Sequence, residues 1–405
     1  METLANFFDL EKMESFQFLW QLILILFAVK IAGHLSKKMG QPAVFGELLV
    51  GIILGPALLG WLTIDPQEGG MLKSLAEIGV ILLMFLAGLE TDVNEFRKSA
   101  SSSTMVALGG VILPLIAGFG VGLAFGYSYQ TSIFVGTLLV ATSVSISVQT
   151  LRELGKLQSK EGITILGAAV LDDVLGIIIL SIVIGFTASA GGGGGMDLIL
   201  LLIKIIAFFL ITILIGRKLL PPIFRWASKL LNTEVVLTFG IITALGFAYF
   251  AELLGLAGIV GSYFAGMMLS LTNFRQELFQ KIESVAFSFF VPIFFVSIGV
   301  MADVSGLTSD MIFIITALTL VAILTKFIGG GLGAKLSGFN WRSSAGIGAG
   351  MIARGEVGLI VASIGISKQL INNELFTAIV IIVLVTTIVT PPLLKLIFNQ
   401  KQKEA

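Results

Sequence analysis

The feature that most restricts this chain is the length of its apolar runs and how little separates them. Hydrophobic segments lie near 17–36, 42–62, 74–90, 103–126, 131–151, 162–187, 197–219, 234–252, 255–272, 286–301, 309–335, 343–366 and 374–398. A helix needs about 20 predominantly apolar residues to cross the hydrocarbon of a bilayer, and these segments use up most of the 405 residues. Apolar residues make up 56% of the chain and charged residues 12%, whereas a soluble domain carries about 25% charge to coat its surface. A β-barrel would instead alternate over segments of roughly ten residues. The expected fold class is therefore an all-α polytopic membrane protein with about thirteen transmembrane helices. The tenth segment is short, so a twelve-span count is the runner-up.

Other features remove whole classes of function. Lys+Arg and Asp+Glu balance at 25 each, so nothing in the charge points to nucleic acid. There is no Cys and a single His, His34, near an interface. Disulfides, thiolate metal sites and thiol nucleophiles are absent. No cofactor motif stands out. The run Gly191–Gly195 is followed by no Gly-Lys-Ser/Thr, so it reads as a flexible connector and not a phosphate loop. Asp9, Glu11 and Glu14 precede the first span where a signal peptide would be basic.

Basic residues give an orientation. One set of alternate loops plus the C-terminal tail holds 18 of them, from Lys37 to Lys403, while the other side has Lys12, Lys73 and Lys368. Cytoplasmic loops are enriched in Lys and Arg, so the N-terminus is expected outside and the C-terminus inside. Residues 1–398 read as one membrane domain and 399–405 as a short cytoplasmic tail, with no soluble domain expected after it.

The chain also carries an internal echo. Gly40-x5-Gly46-x4-Gly51 recurs as Gly255-x5-Gly261-x4-Gly266, and Gly88-x3-Asp92-Val93 as Gly299-x3-Asp303-Val304. Both offsets match a displacement of seven spans. That suggests one repeat over about 17–187 and a second over about 234–398, with a linker helix at about 197–219. An odd displacement inverts the second copy. Inverted repeats characterise secondary transporters, whose sites lie near the midplane at broken helices.

Ionisable residues inside spans are site candidates by default. Asp172 and Asp173 sit about ten residues into the sixth span, near mid-bilayer at about 1.5 Å rise per residue. Adjacent helical positions project about 100° apart, so one carboxylate is expected to face a water-filled cavity and the other a neighbouring helix. A carboxylate so placed holds a proton or a cation, but not readily both. The fifth span carries Thr142, Ser143, Ser145 and Ser147, a hydroxyl cluster that suits a locally unwound helix and a hard cation. The twelfth carries Gly346, Gly348, Gly350, Gly355 and Gly358 around Arg354 and Glu356. Gly at that density breaks helices, and the two charges read as neutralising each other or capping half-helix ends. Glu47 falls inside the repeat motif. Lys204 and Lys326 lie deep in their spans, each either a snorkelling residue or the partner of a buried acid. Lys30, near a helix end, reads as snorkelling.

Taken together, Gln41–Pro56, Leu83–Glu90, Ala141–Ser145, Leu171–Asp173 and Ile352–Leu359 resemble the monovalent cation:proton antiporter-2 family, and within it the NapA-type Na⁺/H⁺ antiporters. The resemblance implies an NhaA-like fold of thirteen helices, with spans five and twelve as crossed discontinuous helices. It implies a homodimer in lipid, with a scaffold domain at the interface and a mobile core domain. By position Asp173 matches the acid that carries the ion, Asp172 its neighbour, and Thr142 and Ser143 the polar residues at the break. Asp173 and Asp172 would hold the Na⁺. In one respect the chain departs: electrogenic relatives have a Lys in the tenth span paired to the first acid, and Glu283–Met301 contains none. The partner of Asp172 is thus open among Lys204, Lys326 and Arg354.

The expected activity is exchange of Na⁺ or Li⁺ for protons by alternating access. A Kef-like K⁺/H⁺ antiporter is the alternative, although that branch usually adds a C-terminal nucleotide-binding domain. A K⁺-type channel would show a Thr-Val-Gly-Tyr-Gly-like filter, and none is present. An aspartyl protease needs two acids from different elements sharing a proton. No enzymatic role is expected.

Overall fold

A computed structural model of the chain describes residues 10–39, 41–62, 70–188, 194–301 and 309–399. These form helices with no strand among the described residues. In chain order they are α1 (Leu10–Lys38), α2 (Ala43–Leu54), α3 (Met71–Glu90), α4 (Val93–Lys98), α5 (Ala100–Ala124), α6 (Tyr129–Leu138), α7 (Val144–Glu153), α8 (Lys160–Ala188), α9 (Gly194–Lys218), α10 (Leu220–Ala227), α11 (Val235–Leu253), α12 (Gly258–Leu269), α13 (Arg275–Val285), α14 (Val291–Val300), α15 (Ser309–Leu336), α16 (Trp341–Gly350), α17 (Glu356–Ser367) and α18 (Asn373–Asn399). Nine membrane-length apolar helical stretches occur among the described residues, with α2 and α12 as shorter apolar helices. Large side chains such as Trp20, Phe27, Ile116, Leu210, Leu214 and Phe313 lie exposed. In water such a surface would drive association; in a bilayer it is the surface a helical bundle must offer.

Lipid tails are as apolar as Leu, so helices in a membrane associate through close packing of small residues. The repeat-motif glycines do this work. A Cβ at Gly51 of α2 would collide with the Val296 carbonyl and Gly299 of α14, and one at Gly88 of α3 with the Tyr263 carbonyl and Gly266 of α12. Gly109 of α5 and Gly329 of α15 meet in the same way. The helices sort into two groups. One contains α1–α3 and α11–α14, the other α5–α8 and α15–α18, and α9 touches both. The groups meet where α7 packs against α2 and α3, and α18 against α2.

The tenth segment is not short. α13 runs through a π-helical turn, Ala286–Phe290, into α14, so the apolar end continues a helix that starts at Arg275. The polar residues of α13 look like a loop in sequence, yet Leu278 and Ile282, four apart, are both fully buried. One apolar face is enough to keep the helix going. Gly40, Asp303, Val304, Gly191–Gly193, the N-terminal acid Asp9 and residues 400–405 lie outside the described residues.

Candidate functional site

Two helices break, and the breaks touch. Between α6 and α7 the chain leaves helical geometry over Leu139–Ser143, and between α16 and α17 over Met351–Gly355. The first break falls where Thr142 and Ser143 offer the backbone alternative partners; the second is bounded by Gly350 and Gly355. The Ser143 N–H donates to the Ala353 carbonyl at 2.7 Å, and Ser147 Oγ donates to the Gly350 carbonyl at 2.5 Å. The crossing is tight enough that a Cβ at Gly355 would strike Ser143 Oγ, so glycine is required there for space.

Asp172 and Asp173 arrive on α8, 1% and 2% exposed. Asp172 Oδ2 accepts from Lys326 Nζ of α15 at 2.5 Å and from Thr142 Oγ1 at 2.8 Å. Gly110 of α5 lies against that pair: a Cβ there would be in ordinary contact, 3.5 Å from Lys326 Nζ and 3.7 Å from Asp172 Oδ2. Asp173 lies within electrostatic range of Lys326. Both acids are packed away from solvent. Two buried oxygens of the cluster, Ser143 Oγ and Asp172 Oδ1, have no hydrogen-bond partner among the described residues. A buried polar atom left unsatisfied is costly, and hydroxyl and carboxylate oxygens are the donor types that hard cations take.

Arg354, 1% exposed, spans the crossing. Its Nη1 donates to the carbonyls of Leu138 (3.5 Å), Leu139 and Ala141 (3.0 Å), and its Nη2 to that of Ala322 at 3.2 Å. The freed carbonyls at the C-terminal end of α6 thus meet a cation, the sign that end of a helix dipole favours. The side chain of Glu356 lies outside the described residues, so its pairing with Arg354 does too.

The other candidates fall elsewhere. Lys204 is half-buried on α9, and the ion pair of Asp172 is with Lys326 instead. Glu47 of α2 sits among Glu153, Lys30 and Lys37, away from the crossing. Lys30 Nζ reaches the Phe287 carbonyl at 3.2 Å, and His34 is exposed. Sequence reasoning missed a polar cluster where the two helix groups meet. There Arg152 of α7 pairs with Glu283 (2.6 Å) and Glu90 (3.4 Å) and lies over the Phe287 ring. Glu153 accepts from the backbone N–H groups of Ala43 (2.5 Å) and Val44 (3.4 Å), which start α2. The signal was there in Arg152-Glu153 at the end of a span, but those residues count as loop charges until the helices are packed.

An all-helical, multi-pass bundle whose two interrupted helices cross beside a buried pair of carboxylates has the parts of an ion carrier. The chain belongs to the sodium/hydrogen exchanger family, whose transmembrane model matches residues 23–400. Among its relatives, the Na⁺/H⁺–K⁺ antiporter GerN of Bacillus cereus is 48% identical over 96% of this chain and 98% of its own length. The Na⁺/H⁺ antiporter of Enterococcus hirae is 41% identical over 94% of this chain and 97% of its own. The high-affinity Na⁺/H⁺ antiporter NhaS3 of Synechocystis is 33% identical, over 95% and 91%. A solved structure of the sodium proton antiporter MjNhaP1 of Methanocaldococcus jannaschii shares the fold, with a TM-score of 0.73 at 16% identity over 96% of this chain and 98% of that one.

Proposed function

We propose that this protein exchanges Na⁺, and with it Li⁺, for protons across the cell membrane, with Asp173 as the residue that carries each in turn. The observation that supports this most is the carboxylate pair held against two helix breaks, beside the Ser143 Oγ and Asp172 Oδ1 oxygens that have no hydrogen-bond partner among the described residues. Thr142 and Ser143 offer hydroxyls, and Asp172 with its partner Lys326 sets the local charge. No covalent step is needed. The loaded site is neutral with a proton or with a monovalent cation and can cross a hydrophobic barrier. Empty, it leaves an uncompensated carboxylate in hydrocarbon, which costs several kcal/mol. Exchange is obligatory because the empty site is the one that does not move.

Movement in this reading is of the α5–α8 and α15–α18 group, the core, against the α1–α3 and α11–α14 group, the scaffold, through which two copies form a homodimer. The Arg152 and Glu153 contacts hold the groups together on the cytoplasmic side and must part when the site opens there. The two halves, 17–187 and 234–398 about a linker at 197–219, are inverted repeats within thirteen spans. Support comes from the glycines: span two meets span ten at Gly51 and Gly299, and span nine meets span three at Gly266 and Gly88, the pairing a two-fold exchange of halves would give. The N-terminus is outside, and 399–405 is a cytoplasmic tail.

The test uses purified protein in proteoliposomes with an imposed proton gradient, adding Na⁺, Li⁺ and K⁺ in turn. Na⁺ should dissipate the gradient saturably. A response to K⁺ alone would favour the K⁺/H⁺ reading, which the name of GerN keeps open. No response to any cation, or a flux that does not saturate, would overturn exchange.

A further inference from the structure

Three threonines on α18, Thr386, Thr387 and Thr390, are fully buried. Two of them do what Thr usually does in an apolar helix and bond back to their own turn. Thr386 donates to the Ile382 and Val383 carbonyls, and Thr390 to the Thr386 carbonyl. Thr387 does not. Its Oγ1 donates across the helix boundary to the Arg354 carbonyl.

That carbonyl has been left behind by the helix break. The ladder of α17 starts one residue later, with the Leu359 N–H donating to the Gly355 carbonyl at 3.3 Å. The neighbouring Ala353 carbonyl is taken by the Ser143 N–H. The interrupted segment is thus pinned twice, by α7 on one side and by α18 on the other. Between those pins stands Arg354, whose guanidinium gathers the carbonyls of Leu138, Leu139 and Ala141. Those residues lead directly into Thr142, the donor to Asp172.

We infer that Thr387 is a positioning residue of the cation site: by holding the Arg354 carbonyl, it fixes the guanidinium that orients Leu139–Ala141 and, through them, Thr142 and Ser143. This rests on the reading of that crossing as the cation site. Thr387 itself touches no ion. Its loss leaves the charges unaltered and loosens the oxygens around them, so cation affinity falls while the conformational cycle keeps its rate.

The experiment compares wild type, Thr387→Val, Thr387→Ser and Thr390→Val. Thr387→Val keeps shape and removes the donor; Thr387→Ser restores the donor; Thr390→Val removes a hydroxyl that serves only its own helix. Two quantities are read: the Na⁺ concentration giving half-maximal thermal stabilisation of the purified protein, and KM and Vmax for Na⁺ in proteoliposomes. Thr387→Val should raise both the half-maximal concentration and KM by about fivefold to tenfold, the scale of one lost hydrogen bond, with little change in Vmax. Thr387→Ser and Thr390→Val should match wild type. If Thr387→Val does not fold, Thr387→Ala carries the same expectation. Lowered heat stability with unchanged Na⁺ affinity would mean an ordinary structural bond and would overturn the inference. So would an equal effect from Thr390→Val. Wild type that Na⁺ stabilises but that exchanges nothing would count against the exchange reading, and the affinity comparison would still judge Thr387.

Discussion

Replacing Lys326 by Met should destabilise this protein far more than removing Asp172 and Lys326 together. The two side chains are fully inaccessible, with Nζ and Oδ2 2.5 Å apart. Met fills most of the lysine's volume, so packing changes little and the charge is what is lost. Leaving one member of a buried pair costs about 3–5 kcal/mol, whereas replacing both members with neutral groups is often close to neutral. Thr142 still donates to Asp172 in the single variant, and a hydrogen bond to a charged group is worth about 1.5–3 kcal/mol. That retained bond puts the expected loss at the lower end, about 3 kcal/mol. The double variant Asp172→Asn with Lys326→Met should recover most of it. The assay is unfolding of the four purified proteins of the double-mutant cycle in one detergent at neutral pH. A Lys326→Met protein as stable as wild type, or a double variant no better than the single one, would refute the claim that Lys326 is there to neutralise Asp172.

Arg354→Lys should raise the apparent KM for Na⁺ about tenfold in vesicle exchange. A point charge cannot reproduce the fork that reaches several carbonyls, and an unchanged KM would mean the fork is dispensable. Arg152→Gln releases Glu90 and Glu283 across the seam between the two helix groups. A Cys introduced on the core face of that seam should then label several-fold faster from inside, a comparison the cysteine-free chain allows. A Cys at position 403 should be labelled only from the cytoplasm; labelling from outside would reverse the topology.

Much of the architecture could be read from residue order because membrane helices announce themselves by length. The breaks were legible as well, since hydroxyl clusters and dense glycine both disfavour continuous helix, and the Asp172-Asp173 pair stands out because two acids in so apolar a run are costly. What sequence could not decide was partnership. Lys204 and Lys326 look alike, each a lone cation deep in a span. Only the close approach of Gly109 to Gly329, which brings α15 onto α5, delivers Lys326 to Asp172. The absence of Lys from the tenth span had left this open, and the pairing residue turns out to lie one span further on. For Arg354 the sequence leaves open neutralisation by Glu356, pairing with Asp172 or a capping role; three of its carbonyl partners, Leu138, Leu139 and Ala141, lie at the break after α6 and come within reach only when the two interrupted helices cross. Thr387 was invisible for a related reason: a buried Thr ordinarily satisfies itself, and nothing local marks the one that reaches out.

The central claim is that one carboxylate, Asp173, carries proton and cation alternately. Asp173→Asn keeps the shape and removes the charge that changes hands. The decisive measurement is Na⁺-driven dissipation of a proton gradient in proteoliposomes containing this variant, with wild type measured in parallel over a range of pH. The account predicts no exchange by Asp173→Asn, in protein that elutes and melts as a folded species. It also predicts that the wild-type apparent KM for Na⁺ rises as pH falls, by up to about tenfold per pH unit, the limit for one competing proton. Saturable Na⁺-driven proton movement by purified Asp173→Asn, or a wild-type KM indifferent to pH, would contradict it.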